Sequence, residues 1–122
     1  MYILIKAALP VVAYETLCQL GAKTDTCSFS QTFSAIILSV KHPEYLDRHM
    51  TKCLYPKVAR RYHVKGTSVE QNIRCLIQTI WKKNPARLSA MAGKPIEKKP
   101  TVRQFLTIVS GYLAQLQEVN EK

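Results

Sequence analysis

One stretch of the sequence carries side chains of the types that read base edges. Ser68, Gln71, Arg74, Cys75 and Gln78 recur at helical intervals, so on a helix they share one side. Arginine can bridge the O6 and N7 acceptors of guanine, and glutamine can bridge the N6 and N7 atoms of adenine. Glu70 is placed to cap its own helix, to accept from a cytosine amino group, or both. The opposite side carries Val69, Ile73, Leu76, Ile77 and Ile80 at the same period, closed by Trp81. That stripe must face inward, which leaves the polar side free to meet a partner.

The flanking sequence supplies the element that would present this helix. Residues 56–81 read as a short helix opened by Pro56, a four-residue turn around His63 to Gly66, and a longer helix. The longer helix carries a capping-box pattern from Thr67 to Glu70. Two helices joined this way cross steeply, and the second can lie in a major groove. Ala59 is small where the helices approach, and Val58, Tyr62, Val64, Val69 and Ile73 are apolar where the unit rests on its domain. Lys52, Lys57, Arg60, Arg61 and Lys65 flank the polar side. With Thr67 at the helix start and Lys98 and Lys99 in a later linker, they form the expected phosphate-contacting set. Such contacts fix register without reading sequence.

Net charge agrees with a polyanionic partner. The 122 residues hold 18 Lys and Arg against 8 Asp and Glu, a formal +10. Residues 41–103 contain 15 basic and 4 acidic side chains, a net +11, and the remainder carries −1. A field concentrated in this way attracts nucleic acid or an anionic membrane surface.

Outside this unit the chain is helical throughout. A first helix is expected from Pro10 to Leu20, ended by Gly21. A second runs from Ser28 to Val40, with Ser28 and Gln31 as a capping pattern and an apolar stripe of Phe29, Phe33, Ile36, Ile37 and Val40. Tyr45 to Tyr62 form a third region, in which Pro56 either kinks a helix or starts one. A short helix from Pro85 to Met91 stops at Gly93, a basic linker covers residues 94–99, and a last helix starts at Thr101 with a capping pattern through Gln104. The last helix carries an apolar stripe of Phe105, Ile108, Val109, Tyr112, Leu113 and Leu116. The expected fold is all-α: a single compact domain, residues 1–122, of about six helices containing a helix-turn-helix at about 56–81.

Other chemistries find little support. Cys18, Cys27, Cys53 and Cys75 include no Cys-x-x-Cys pair, and Cys18 and Cys75 fall in helical patterns where cysteine acts as a small buried hydrophobe. His49 and Cys53 have metal-ligand spacing but no second pair beside them, so no metal is expected. There is no glycine-rich phosphate loop, no paired carboxylates in a plausible cleft and no nucleophile–histidine order. His42, His49 and His63 lie in or beside turns as ordinary surface residues. Neither catalytic residues nor a cofactor are expected. The apolar start, Met1 to Ala13, lacks a basic leader and contains Pro10, so it reads as core-packing strand or helix and not as a signal peptide. No window reaches the length of a membrane span, and the expected location is the cytoplasm.

Several segments together resemble a known family. They are L-Y-P-K-V-A-R-R-Y at 54–62, V-E-x-x-I-R at 69–74, I-x-x-I-W at 77–81 and K-P-T-x-x-x-F-L-x-x-V at 99–109. In order and spacing they are similar to the C-terminal DNA-binding effector domain of the sporulation response regulator, the stage zero sporulation protein A family, over roughly residues 15–116. The resemblance implies a six-helix transcription factor domain on double-stranded DNA, two copies in tandem on adjacent sites, and the transcription machinery as a further partner. It places base reading at Ser68, Glu70, Gln71, Arg74 and Cys75. Glu70 and Arg74 match the family's pattern. Ser68 and Gln71 stand where the family has arginines, and Cys75 where it has histidine, so the preferred DNA site should differ.

Two further expectations follow. The family's full-length protein carries an N-terminal receiver phosphorylated on aspartate. About 14 residues precede the matching region here, which points to a stand-alone effector whose DNA affinity ignores phosphodonors. The alternative function is a protein-interaction module that pairs with or antagonises a full-length relative without touching DNA, motivated by the groove-facing cations lost at Ser68, Gln71 and Cys75.

Overall fold

The computed structural model describes residues 9–121, with side chains over 9–116. The expectation for residues 1–8 therefore lies outside the described residues, while Leu9 and Ala13 are buried in the core. Among the described residues there are six α-helices and no strand. They are α1 (Leu9–Gln19), α2 (Cys27–Lys41), α3 (Tyr55–Tyr62), α4 (Gly66–Lys83), α5 (Pro85–Ala92) and α6 (Val102–Glu121). A 3-10 turn (Pro43–Leu46) and a wide π turn (Met50–Leu54) link α2 to α3.

Helix α2 is the centre of the fold, packed on α1, α4 and α6. Its Phe29, Ala35 and Ile36 meet Phe105, Leu106, Val109 and Leu113 of α6 and the α4 stripe in one apolar core. Val69, Ile73, Leu76, Ile77 and Ile80 are all buried, as their period requires. Each such side chain contributes about 1.5–3 kcal/mol on leaving water. Two polar ties fix the helix-turn-helix against α2. The Tyr62 hydroxyl donates to the Ser30 carbonyl (3.0 Å) and lies 2.7 Å from Ser34 Oγ. Asn72 Nδ2 donates to Oε1 of the buried Gln31 at 2.9 Å.

Several helix ends follow the sequence. Pro56 opens α3. Asn84 caps α5, and Gly93 ends it in the left-handed region at φ 76°. Thr101 and Gln104 form the expected capping box: the Thr101 amide donates to Gln104 Oε1 (2.9 Å) and the Gln104 amide to Thr101 Oγ1 (3.2 Å).

Two caps differ. Helix α2 is capped by Thr26 and not Ser28: Thr26 is extended (φ −111°, ψ 154°) and its Oγ1 accepts from the Phe29 amide at 3.1 Å. Ser28 is already helical. In α4 the extended residue is Lys65 (φ −85°, ψ 152°), with no side-chain cap. Thr67 is the second helical residue, so the expected Thr67–Glu70 box does not form. The cause is the turn. His63 takes the left-handed conformation (φ 57°, ψ 44°), and the Val64 amide returns to the Ala59 carbonyl at 3.0 Å. The chain reverses over three residues, and Gly66 begins the helix.

Two burial expectations also fail. Val64 is 39% exposed, because it follows the left-handed His63 instead of resting on the domain. Cys18 is exposed, and so is Cys75. Both sit on helix sides turned away from the apolar stripe, so neither serves as a core hydrophobe.

Candidate nucleic-acid interface

Because α4 is anchored along its apolar stripe, its other side is fixed in direction and is left uncovered by the described residues. Gln71, Arg74, Cys75 and Gln78 are exposed on it, while Ser68 and Glu70 are half-buried at its two margins. The structure therefore brings the four exposed residues together on one surface, and places Ser68 and Glu70 at its edges.

These side chains are lightly held. Arg74 Nη2 lies 3.4 Å from Glu70 Oε2, an i,i+4 pair with the Arg74 side chain 61% exposed. Gln71 Nε2 reaches Cys75 Sγ at 3.9 Å, a weak contact. Lys99 Nζ donates to Gln78 Oε1 at 2.9 Å, so the linker before α6 crosses beside the helix. Exposed contacts of this kind are worth under about 1 kcal/mol and can be exchanged for contacts to a ligand.

Glu70 borders a cleft of about 530 Å³ shared by α4, the π turn and the start of α6, with Arg74, Lys99, Thr101 and Arg103 on its walls. Tyr55 also lines it. Its hydroxyl is pushed up from 10.0 to about 12, chiefly by burial and then by the Glu70 carboxylate, with Arg74 and Arg103 opposing. Tyr55 is therefore neutral and a hydrogen-bond donor at any ordinary pH.

Lys52, Lys57, Arg60, Arg61, Lys65, Thr67, Lys98 and Lys99 are all exposed. Lys57 holds its ammonium 5.4 Å from the centre of the Tyr45 ring, which limits its reach. Lys65 precedes α4 directly, and Lys99 touches the polar side through Gln78. Sequence reasoning missed four cations near this surface: Lys23, Lys82, Lys83 and Arg103. Arg103 and Lys99 line the same cleft, and Lys82 follows Gln78 by one helical turn, a spacing visible in the sequence. Lys23 has no such signal, because a tertiary contact brings it near. No group of three or more His, Cys, Asp or Glu able to hold a metal occurs among the described residues. No helix among them is long and apolar enough to cross a membrane.

Fold and surface together define an all-α helix-turn-helix domain with an uncovered, basic-edged second helix. A family model described as Sporulation initiation factor Spo0A C terminal matches residues 13–113, and the chain belongs to that family. The family is one of DNA-binding domains in sporulation and transcription regulation, and is not an enzyme family.

Proposed function

We propose that the chain is a sequence-specific regulator of transcription that binds double-stranded DNA by laying α4 in the major groove. The observation that carries this reading is the exposure of Gln71, Arg74, Cys75 and Gln78 on a helix whose other side is wholly buried. Arg74 is the guanine-reading side chain, and Gln71 and Gln78 read adenine or neighbouring edges. Cys75 lies between them on the same surface, and Ser68 and Glu70 complete it from its margins. Lys65 and Thr67 grip phosphates at the helix start, Lys98 and Lys99 do so from the linker, and Lys52, Lys57, Arg60 and Arg61 do so from the π turn and α3. Two copies occupy adjacent sites, from which they contact the transcription machinery.

Selection of bound duplexes from a random pool, followed by fluorescence anisotropy over a range of salt, tests this. The expected result is one enriched sequence, with a log–log salt slope of about −0.9 per neutralised phosphate. A pool that shows no enrichment, or DNA affinity indifferent to salt, would instead favour a module that pairs with another protein.

A further inference from the structure

We propose that α4 is gripped on both flanks, and that Lys23 and Lys83 form a second phosphate clamp opposite Lys99 and Arg103. This rests on the reading of α4 as the helix that enters DNA. Cys75 is on the uncovered side of α4, and Thr79 and Lys83 follow it at four-residue steps that drift toward one flank. The Glu70–Arg74–Ile77 edge, beside Lys99 and Arg103, is the other flank.

The turn between α1 and α2 brings Lys23 to the Cys75 flank and holds it there. Gly21 ends α1 at φ 96°, a conformation that favours glycine. Its amide returns to the Cys18 carbonyl (3.0 Å) and the Ala22 amide to the Leu17 carbonyl (3.1 Å). Ala22 is buried behind the turn. Thr26 Oγ1 donates to the Lys23 carbonyl at 3.1 Å while capping α2. The aliphatic stem of Lys83 lies across Gly21, its Cδ 3.4 Å from where a Cβ would stand. The stem is thus spent on packing, and the ammonium is carried to the rim.

Lys23 and Lys83 border one cleft of about 270 Å³, together with Thr26, Ser28, Cys75 and Thr79. Ala22 and Leu76 form its apolar floor, and the Thr26 and Thr79 hydroxyls already donate to the Lys23 and Cys75 carbonyls, which leaves the two lysines as its charged groups. Asp25 of the same turn is exposed but is not among the lining residues. The opposite cleft, by contrast, mixes Glu70 with its cations. A cleft bordered by two lysines and by no carboxylate suits a phosphodiester. Beside an inserted helix, that phosphodiester belongs to the second backbone of the groove. Lysines in a last helical turn also complement the helix dipole, but that role would leave DNA affinity untouched.

Lys23→Gln and Lys83→Gln keep much of each stem and remove the charge. Anisotropy on the selected duplex and on a random duplex reads the salt slope, and thermal melting checks the fold. Each substitution should reduce the slope by about 0.9, and the pair by about 1.8, alike on both duplexes. Lys41→Gln, at the far end of α2, removes the same charge and should leave the slope unchanged. If the parent chain binds DNA and the double variant keeps its slope, the clamp is refuted while the function stands. An equal loss from Lys41→Gln would refute it too, by reducing the effect to net charge. A parent chain without DNA affinity would remove the function and the clamp together.

Discussion

Arg74→Ala separates base reading from every other role of α4. The loss should be that of one bidentate contact, about 1–3 kcal/mol, or roughly 5- to 150-fold in Kd. The fold should scarcely notice. The partner lost is Glu70 at 3.4 Å in an exposed i,i+4 pair, worth about 0.3–0.5 kcal/mol, and alanine returns part of that through helix propensity. The melting temperature should therefore move by no more than about 2 °C. Anisotropy would be measured on the selected duplex, on its single-base variants and on random DNA. Arg74→Ala should weaken the selected duplex most and flatten preference at one base pair. Lys65→Ala, an exposed residue without a capping role, should weaken all duplexes equally. Identical behaviour of the two variants on specific and random DNA would refute the orientation assigned to α4.

The reassigned caps make a paired prediction. Thr26→Ala should cost about 1 kcal/mol in urea unfolding, whereas Thr67→Ala should stay within about 0.5 kcal/mol and show its effect only on DNA affinity. Tyr55 gives a pH dependence. Its folded value of about 12 exceeds the unfolded 10.0, so the neutral hydroxyl contributes stability that is complete below pH 10 and lost as pH rises toward 12. Unfolding midpoints measured across that range should fall more for the parent chain than for Tyr55→Phe, and parallel curves would contradict the burial of the hydroxyl.

Much of this structure was legible because periodicity reports burial directly. The α4 stripe of Val69, Ile73, Leu76, Ile77 and Ile80 is buried as its spacing demands, and that alone fixes which side chains face out. Gly93 and the Thr101–Gln104 pair were legible because each is a local device, set by residues within one turn. Competing local devices were not. Thr26 and Ser28 are both good caps, and only the backbone decides between them. At the start of α4, the left-handed His63 shortens the turn, advances the helix past Thr67 and turns Val64 outward. Nothing in the residue types announces a left-handed histidine there. Lys23 was missed for another reason. It sits about 60 residues from Lys83, and only the docking of the α1–α2 turn on α4 brings the two to one cleft.

Every role proposed for this domain depends on the uncovered side of α4 meeting DNA. Titrating the selected duplex into isotopically labelled protein, and following amide and Arg74 side-chain resonances, tests it most directly. The largest changes should fall on residues 65–78, with Ser39, Leu46 and Gly111 of the α2–α6 groove unmoved. Changes concentrated on that groove, with Gln71 and Arg74 silent, would contradict DNA binding through α4.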